Sequence, residues 1–468
     1  MYLNCHSYYS LRYGTLSPEQ VVQEAKARGI TCLALTDIHR SSGVFDFVQA
    51  CEAAGIKPVV GMEFEAGYVC LARNEAGFLQ INDFATKYLV SKEPWPERPP
   101  VSDDVWTIYP LALRKKIKTL AGPRERWGVR ASDRNLIWKE KDLRDFVWCQ
   151  PFTFLDQRGF SMHRLLRAID LNTLLSKLSK KEQAQEDERL YTPAELQACC
   201  ADHPELLAEA DKILADCTFS FDFKKPKNRS LFSSSKEDDL ALLTKLAYEG
   251  LRYRYPRGDR EAKARVEKEL RIINELSFNA YFLITWDIIR YARSRGYFHV
   301  GRGSGANSIV AYCIGITDVD PVELDLYFER FINEHRTSPP DFDIDFSWTD
   351  REDMTNYIFS RFPNVTLLGA YNTFQYRAAV RELGKVFGLP KEDIDLLSDG
   401  KLEVEKLDEL QRLTLRYASL IQDYPNALAI HAAGILITQK PIYHYTATFL
   451  PPKGYPTTQF DMVVAEDI

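Results

Sequence analysis

The chain has 468 residues, a net charge of −6 and a hydrophobic content of 45%. That length exceeds what one core sustains and predicts about two to four domains, in a composition that excludes fibrous and disordered classes. No stretch reaches the roughly 18–20 apolar residues of a membrane span, and MYLNCHSYYSLRYG lacks a signal-peptide core, so a cytoplasmic location without membrane contact is expected.

The nine cysteines are scattered with no CxxC pair, which reads as buried, reduced thiols. From the start, PEQVVQEAKARG, ITCLALTD, SGVFDFVQACEAAG and IKPVVGMEFE alternate helix and strand patterns. That rhythm predicts parallel β/α units whose ligands sit at the carboxyl ends of the strands, where Asp37 and Glu63 fall. EPWPERPP (93–100) and KKEQAQEDER (180–189) read as surface connections. Basic stretches occur at LRKKIK (113–118) and FKKPKNR (223–229), although the net charge decides nothing about nucleic acid. A boundary is expected near residue 225. A capped helix over SSSKEDDLALLTKLAYEGLRYRY and an amphipathic one through KARVEKELRIINEL follow. Helical sequence is expected from about 372 to 430, with strand character returning at AAGILIT.

The sharpest signal is PPDFDIDFS (339–347). On a strand, Asp341, Asp343 and Asp345 share one face and Phe342, Ile344 and Phe346 the other. Crowded like charges ask for a cation, and hard oxygen ligands suit magnesium. From this alternation alone, an edge strand with a solvated acidic face is an equal reading. Upstream, YFHVGRGSGANSIVAYCIG (297–315) reads as a strand, a glycine-rich turn and a helix starting near Ser304, with Arg302 as a further donor. Such a turn lets backbone N–H groups approach phosphate closely. A glycine-serine turn followed by a DxD strand is the layout of nucleotidyltransferase palms.

The ordered run VGRGSGANSIVAYCIGITDVDP…FERFINEHRTSPPDFDIDF resembles the palm of the bacterial DNA polymerase III alpha family, the C-family replicative polymerases. The resemblance implies that Asp343 and Asp345 are the catalytic, magnesium-binding pair, holding two ions in a complete site. It also implies that Gly303 and Ser304 meet the incoming nucleotide's phosphates, where Arg302 would add a bidentate donor, and that Asp341 is a neighbour. Asn307 stands where that family usually has glycine. TFQYRAAVRELGKVFGLP (373–390) resembles the family's thumb, and HAAGILIT (431–438) its return to the palm. Arg377, Arg381 and Lys385 would form one basic helical stripe; a solvated face is the plainer reading of the spacing, and DNA phosphate contact the one the resemblance implies. His431 reads as structural. By the resemblance, a third aspartate and the fingers lie beyond Ile468, so the chain alone is expected to be inactive.

The opening resembles that family's polymerase-and-histidinol-phosphatase (PHP) domain. His6, Asp37 and Glu63 match its metal-site pattern. Asn4 and Ile38 replace expected histidines, His39 stands one place along, and no histidine occurs between Glu63 and His163. A degenerate site, without zinc or manganese, is expected. The whole reads as a multi-domain α/β protein: a PHP-like distorted β/α barrel (1–225), a nucleotidyltransferase-type palm with a mixed sheet (226–371), an inserted helical thumb (372–430) and the palm's return (431–468). The implied function is template-directed DNA synthesis, with primer-template DNA, deoxynucleoside triphosphates, a sliding clamp and other replisome subunits as partners. The rival readings are a PHP-type phosphoesterase or exonuclease and a non-catalytic DNA-binding or replisome module.

Overall fold

The structure, a computed structural model, describes residues 1–332, 341–401 and 407–468. Two compact units divide them. The first takes Met1–Asp222, Leu367–Gly434 and Ile442–Asp467, and the second Phe223–Thr366, Ile435–Pro441 and Ile468. These units cut across the segments expected from sequence, because helix Gln157–Asp170 and helix Tyr376–Phe387 share one core of Met162, Leu165, Leu166, Ile169, Phe374, Ala379, Val380 and Leu383.

The first unit is built on a six-stranded sheet in chain order: β1 (Cys32–Leu35), β2 (Lys57–Glu63), β3 (Val69–Ala72), β4 (Val105–Pro110), β5 (Glu125–Val129) and β6 (Phe146–Trp148). The β1–β2, β4–β5 and β5–β6 pairs are parallel, while β3 runs antiparallel to both neighbours. Tyr2 bridges Leu33 and Cys5 bridges Phe152, so the opening residues link the two ends of the sheet. This is the distorted barrel. Buried runs in β2 and β3 explain it, since strands covered on both faces lose their alternation. Gly61 is required where the strands meet: a Cβ there would lie 2.2 Å from the Cys70 carbonyl oxygen. Helix Pro204–Asp216 seals one face with Ala210, Ile213 and Leu214 against Ala34, Val59, Val69 and Val147. A second, mixed sheet has the order β10 (Pro425–Ile437), β9 (Val365–Thr373), β12 (Thr457–Thr458), β11 (Thr448–Phe449). Strand β10 starts well before AAGILIT, because the last helix of the block ends at Ile421.

In the second unit, helices Lys236–Arg254, Arg260–Glu275 and Asn279–Ser294 surround Leu243, Val266, Ile273, Phe282 and Val310. Ser235 and Asp259 cap the first two by accepting from Asp238 and Ala262 N–H groups, which satisfies donors a helix start leaves free. Against this core lies an antiparallel ribbon of β7 (His299–Arg302) and β8 (Asp343–Phe346), with Phe342 and Ile344 packed on it. Among the described residues no helix is long and apolar enough to cross a membrane, and all nine cysteines are free.

Candidate functional site

The ribbon sorts its side chains as the alternation requires. Asp341, Asp343 and Asp345 are exposed, whereas Phe342, Ile344 and Phe346 are half-buried. Asp341 precedes β8; Pro339 and Pro340 lie outside the described residues. Arg302 pairs with Asp343 across the ribbon and Val300 with Asp345. The Arg302 side chain turns to the acids: its Nε donates to Asp345 Oδ2 at 2.8 Å, and its guanidinium lies 3.9 Å from Asp343 Oδ2. The three side chains are 49–59% exposed, so water and a cation reach both carboxylates.

The turn after β7 departs from the expected helix start. Gly303–Asn307 form a 3-10 turn, and the α-helix covers only Ile309–Cys313, capped by Ser308. Gly303 has φ +74°, where a Cβ would stand 3.0 Å from Asp343 Oδ2. Gly305 lies against Phe342, leaving no room for a side chain. Asn307 folds back, its Nδ2 donating to the Ser304 carbonyl at 2.8 Å. Helix Ile309–Cys313 does not offer its first N–H groups to a ligand. The Glu269 carboxylate accepts from Ser308 Oγ (2.7 Å), Ile309 N–H (3.0 Å) and Val310 N–H (3.0 Å). Glu269 is 2% exposed, and burial pushes its carboxyl up to about 7 despite those three donors.

Arg377, Arg381 and Lys385 do line the solvent side of helix Tyr376–Phe387, whose other side buries Ala379, Val380, Leu383 and Val386. Each is held by an acid of its own surroundings: Arg377 by Asp399, Arg381 by Asp395 at 3.2 Å and Lys385 by Glu382 at 2.8 Å. His431 Nδ1 accepts from Gly434 N–H at 3.1 Å, a local backbone contact.

In the barrel, His6 and Glu63 come together and Asp37 is satisfied separately. His6 Nε2 meets Glu63 Oε2 at 3.1 Å, and its Nδ1 meets Thr153 Oγ1 at 2.9 Å. Asn4 Nδ2 donates to the same Glu63 oxygen. Asp37 accepts from Ser7 N–H and Oγ and from Ser10 Oγ, at 2.6–2.7 Å. Its carboxyl is raised by burial. Burial alone would lower His6, but the Glu63 carboxylate outweighs it and raises the imidazole, while His6 holds Glu63 low. His39 is turned away: it has φ 55°, stacks on Trp95 at 4.2 Å, and its Nε2 accepts from Glu65 N–H. Burial holds it down to about 4. His163 uses both nitrogens internally, with Tyr13 O and Ala184 N. The donor set does not fit a PHP-type metal cluster, since Asn4 and Ile38 replace two expected histidines and His39 and His163 are engaged elsewhere. A cation is supplied by Arg130, which pairs with buried Glu188 at 3.2 Å and interacts with Glu63. Glu188 also accepts from Thr153 Oγ1 at 2.9 Å. The stretch 180–189 is therefore not all surface: Ala184 and Glu188 are buried.

Sequence reasoning missed Glu269, Arg130 and Glu188. Glu269 had a legible sign, since it interrupts the apolar stripe Ala262, Val266, Leu270 and Ile273 of its helix. Arg130 had none, because its partners are remote in sequence.

Residues 241–468 match the model of the bacterial DNA polymerase III alpha NTPase domain, and residues 3–122 that of the PHP domain. The error-prone DNA polymerase of Symbiobacterium thermophilum is 28% identical over all of this chain and 50% of its own length. The DNA polymerase III subunit alpha of Bacillus subtilis is 28% identical over all of this chain and 47% of its own. The chain is a relative of bacterial DNA polymerase III alpha subunits. It spans about half the length of these curated relatives. The polymerase III alpha match takes in the acidic ribbon, the glycine-serine turn and Glu269, whereas Arg130 and Glu188 lie outside the PHP match.

Proposed function

We propose that this chain carries part of the nucleotidyl-transfer site of a replicative DNA polymerase, extending a primer 3′ hydroxyl with deoxynucleoside triphosphates on a template. One observation carries the reading: Asp343 and Asp345 stand on one exposed face of a ribbon whose partner strand runs straight into the glycine-serine turn. Two exposed carboxylates separated by one residue fit magnesium, which takes one or two protein carboxylates and completes its shell with water and substrate phosphate oxygens. Asp343 and Asp345 would hold the ions. When bound, magnesium supplies Lewis-acid activation of the attacking hydroxyl and neutralises the leaving pyrophosphate.

Arg302, Gly303 and Ser304 would receive the triphosphate, with the backbone of the turn close because Gly303 carries no side chain. As the triphosphate and cations enter, Arg302 exchanges its carboxylate partner for phosphate oxygens, a match of planar donors to paired acceptors. Arg377, Arg381 and Lys385 would contact duplex phosphates and position the DNA without reading sequence. The PHP-like barrel has a structural role, its former metal donors tied up by protein groups. A sliding clamp and other replisome subunits would be partners of a protein of the relatives' full length.

Primer extension with magnesium tests this, using this chain and a protein of the relatives' full length built on it, each with Asp343→Asn or Asp345→Asn. Extension by the longer protein, lost in both variants, is the expected result. A well-folded longer protein that extends no primer would overturn the reading.

A further inference from the structure

The feature that the proposed chemistry leaves unexplained is a buried carboxylate behind the turn. Glu269 sits three turns into helix Arg260–Glu275, in a stripe otherwise made of Ala262, Val266, Leu270 and Ile273. Burying an acid costs several kcal/mol in general unless donors converge on it. Here three do, and all three belong to the segment that immediately follows the glycine-serine turn. Ser308 is doubly used, since its Oγ donates to Glu269 and accepts from Ala311 N–H at 3.0 Å. The turn itself has few other anchors: Gly305 on Phe342, and Asn307 on the Ser304 carbonyl. Gly303, Ser304 and Gly305 hold no apolar side chain with which to fix themselves.

We infer that Glu269 is the positioning residue that sets the glycine-serine turn for the nucleotide's phosphates, clamping Ser308, Ile309 and Val310 so that Gly303 and Ser304 stay beside Asp343. The inference rests on the nucleotidyl-transfer reading above. It also moves the phosphate site. The start of helix Ile309–Cys313 is filled by the protein's own carboxylate, so phosphate binds the 3-10 turn on the Arg302 side. A neutral amide at 269 keeps the shape but presents N–H groups to donors, so the clamp opens without a cavity being made.

The test compares the wild-type chain with Glu269→Gln, and with Ser308→Ala as the milder variant should the first not fold. Two quantities are read: amide hydrogen exchange over residues 303–310, and affinity for magnesium–dATP by equilibrium dialysis. The expected result is exchange faster by roughly tenfold or more, the scale of losing one charge-assisted hydrogen bond. Exchange in helix Asn279–Ser294 should be unchanged, and nucleotide binding should weaken by a similar factor. Unchanged exchange at 303–310 in both variants, or unchanged dATP affinity with a loosened turn, overturns the inference while leaving the nucleotidyl-transfer reading standing. A wild-type chain whose clamped turn binds no dATP, and whose full-length form binds none either, overturns that reading and with it the role given to Glu269.

Discussion

Arg302 and Asp345 are ion-paired at 2.8 Å on the open face of the ribbon, so the cation now beside the candidate metal ligand belongs to the protein. The guanidinium and a magnesium ion compete for the same carboxylate oxygens. Arg302→Gln should therefore bind manganese, a paramagnetic substitute, more tightly by up to roughly thirtyfold at low salt, the effect of removing one charge about 4 Å from a divalent ion in water. Electron paramagnetic resonance titration measures this. Asp345→Asn should bind more weakly, and weaker binding by Arg302→Gln would show that arginine assists the ion.

The pair of half-buried Arg130 and buried Glu188 makes a second prediction. Arg130→Met leaves buried Glu188 without its cation, while Glu63 keeps His6, and stranding a buried charge costs about 3–5 kcal/mol. Urea denaturation followed by barrel tryptophan fluorescence should show a loss of that order. Adding Glu188→Gln should return part of it. A loss below about 1 kcal/mol would mean the network is not what holds this part of the barrel.

Glu269 gives stability a pH dependence of known sign. Its folded value is about 7, above the ordinary 4.5, so its contribution is fully present below 4.5 and disappears as pH rises through 7. Arg265, one turn earlier, opposes this shift, and Cys313 lies nearby. Between pH 5 and 8 the wild type should lose about 2.5 kcal/mol relative to Glu269→Gln, read from urea midpoints at each pH. Parallel curves would contradict it.

For the stripe on helix Tyr376–Phe387, replacing Arg377, Arg381 and Lys385 by alanine should lower the salt dependence of duplex binding by about one per residue, as phosphate contacts do. Stability should change by less than about 1 kcal/mol, because all three ion pairs are exposed. Asp395→Asn with Asp399→Asn should tighten DNA binding by freeing the arginines. Anisotropy titrations at several salt concentrations decide both.

The ribbon was readable because a period of two is a local property: Asp343 and Asp345 had to share a face once the segment was a strand. The barrel was readable for the same reason, from alternating helix and strand patterns. What escaped was long-range. Arg130 meets Glu188 and Glu63 only after the barrel closes, and nothing adjacent to it signals a half-buried ion pair. Helix Ile309–Cys313 starts later than expected because Gly303 takes a left-handed conformation and Ser308 is the better cap, a competition between two small-residue sites that spacing alone does not decide. The shared core of helices Gln157–Asp170 and Tyr376–Phe387 likewise joins stretches that composition separates.

Closure of the barrel by its opening residues has a consequence for synthesis on the ribosome. Cys5 is fully buried in the finished protein, yet its partner Phe152 is made much later. Until that residue leaves the exit tunnel, the first stave can pair only on its Leu33 side, and its other edge stays open to water. The step that completes the barrel thus joins distant parts of the chain, and non-local pairing is slow. The nascent chain passes through a long interval in which a holding chaperone has something to grip.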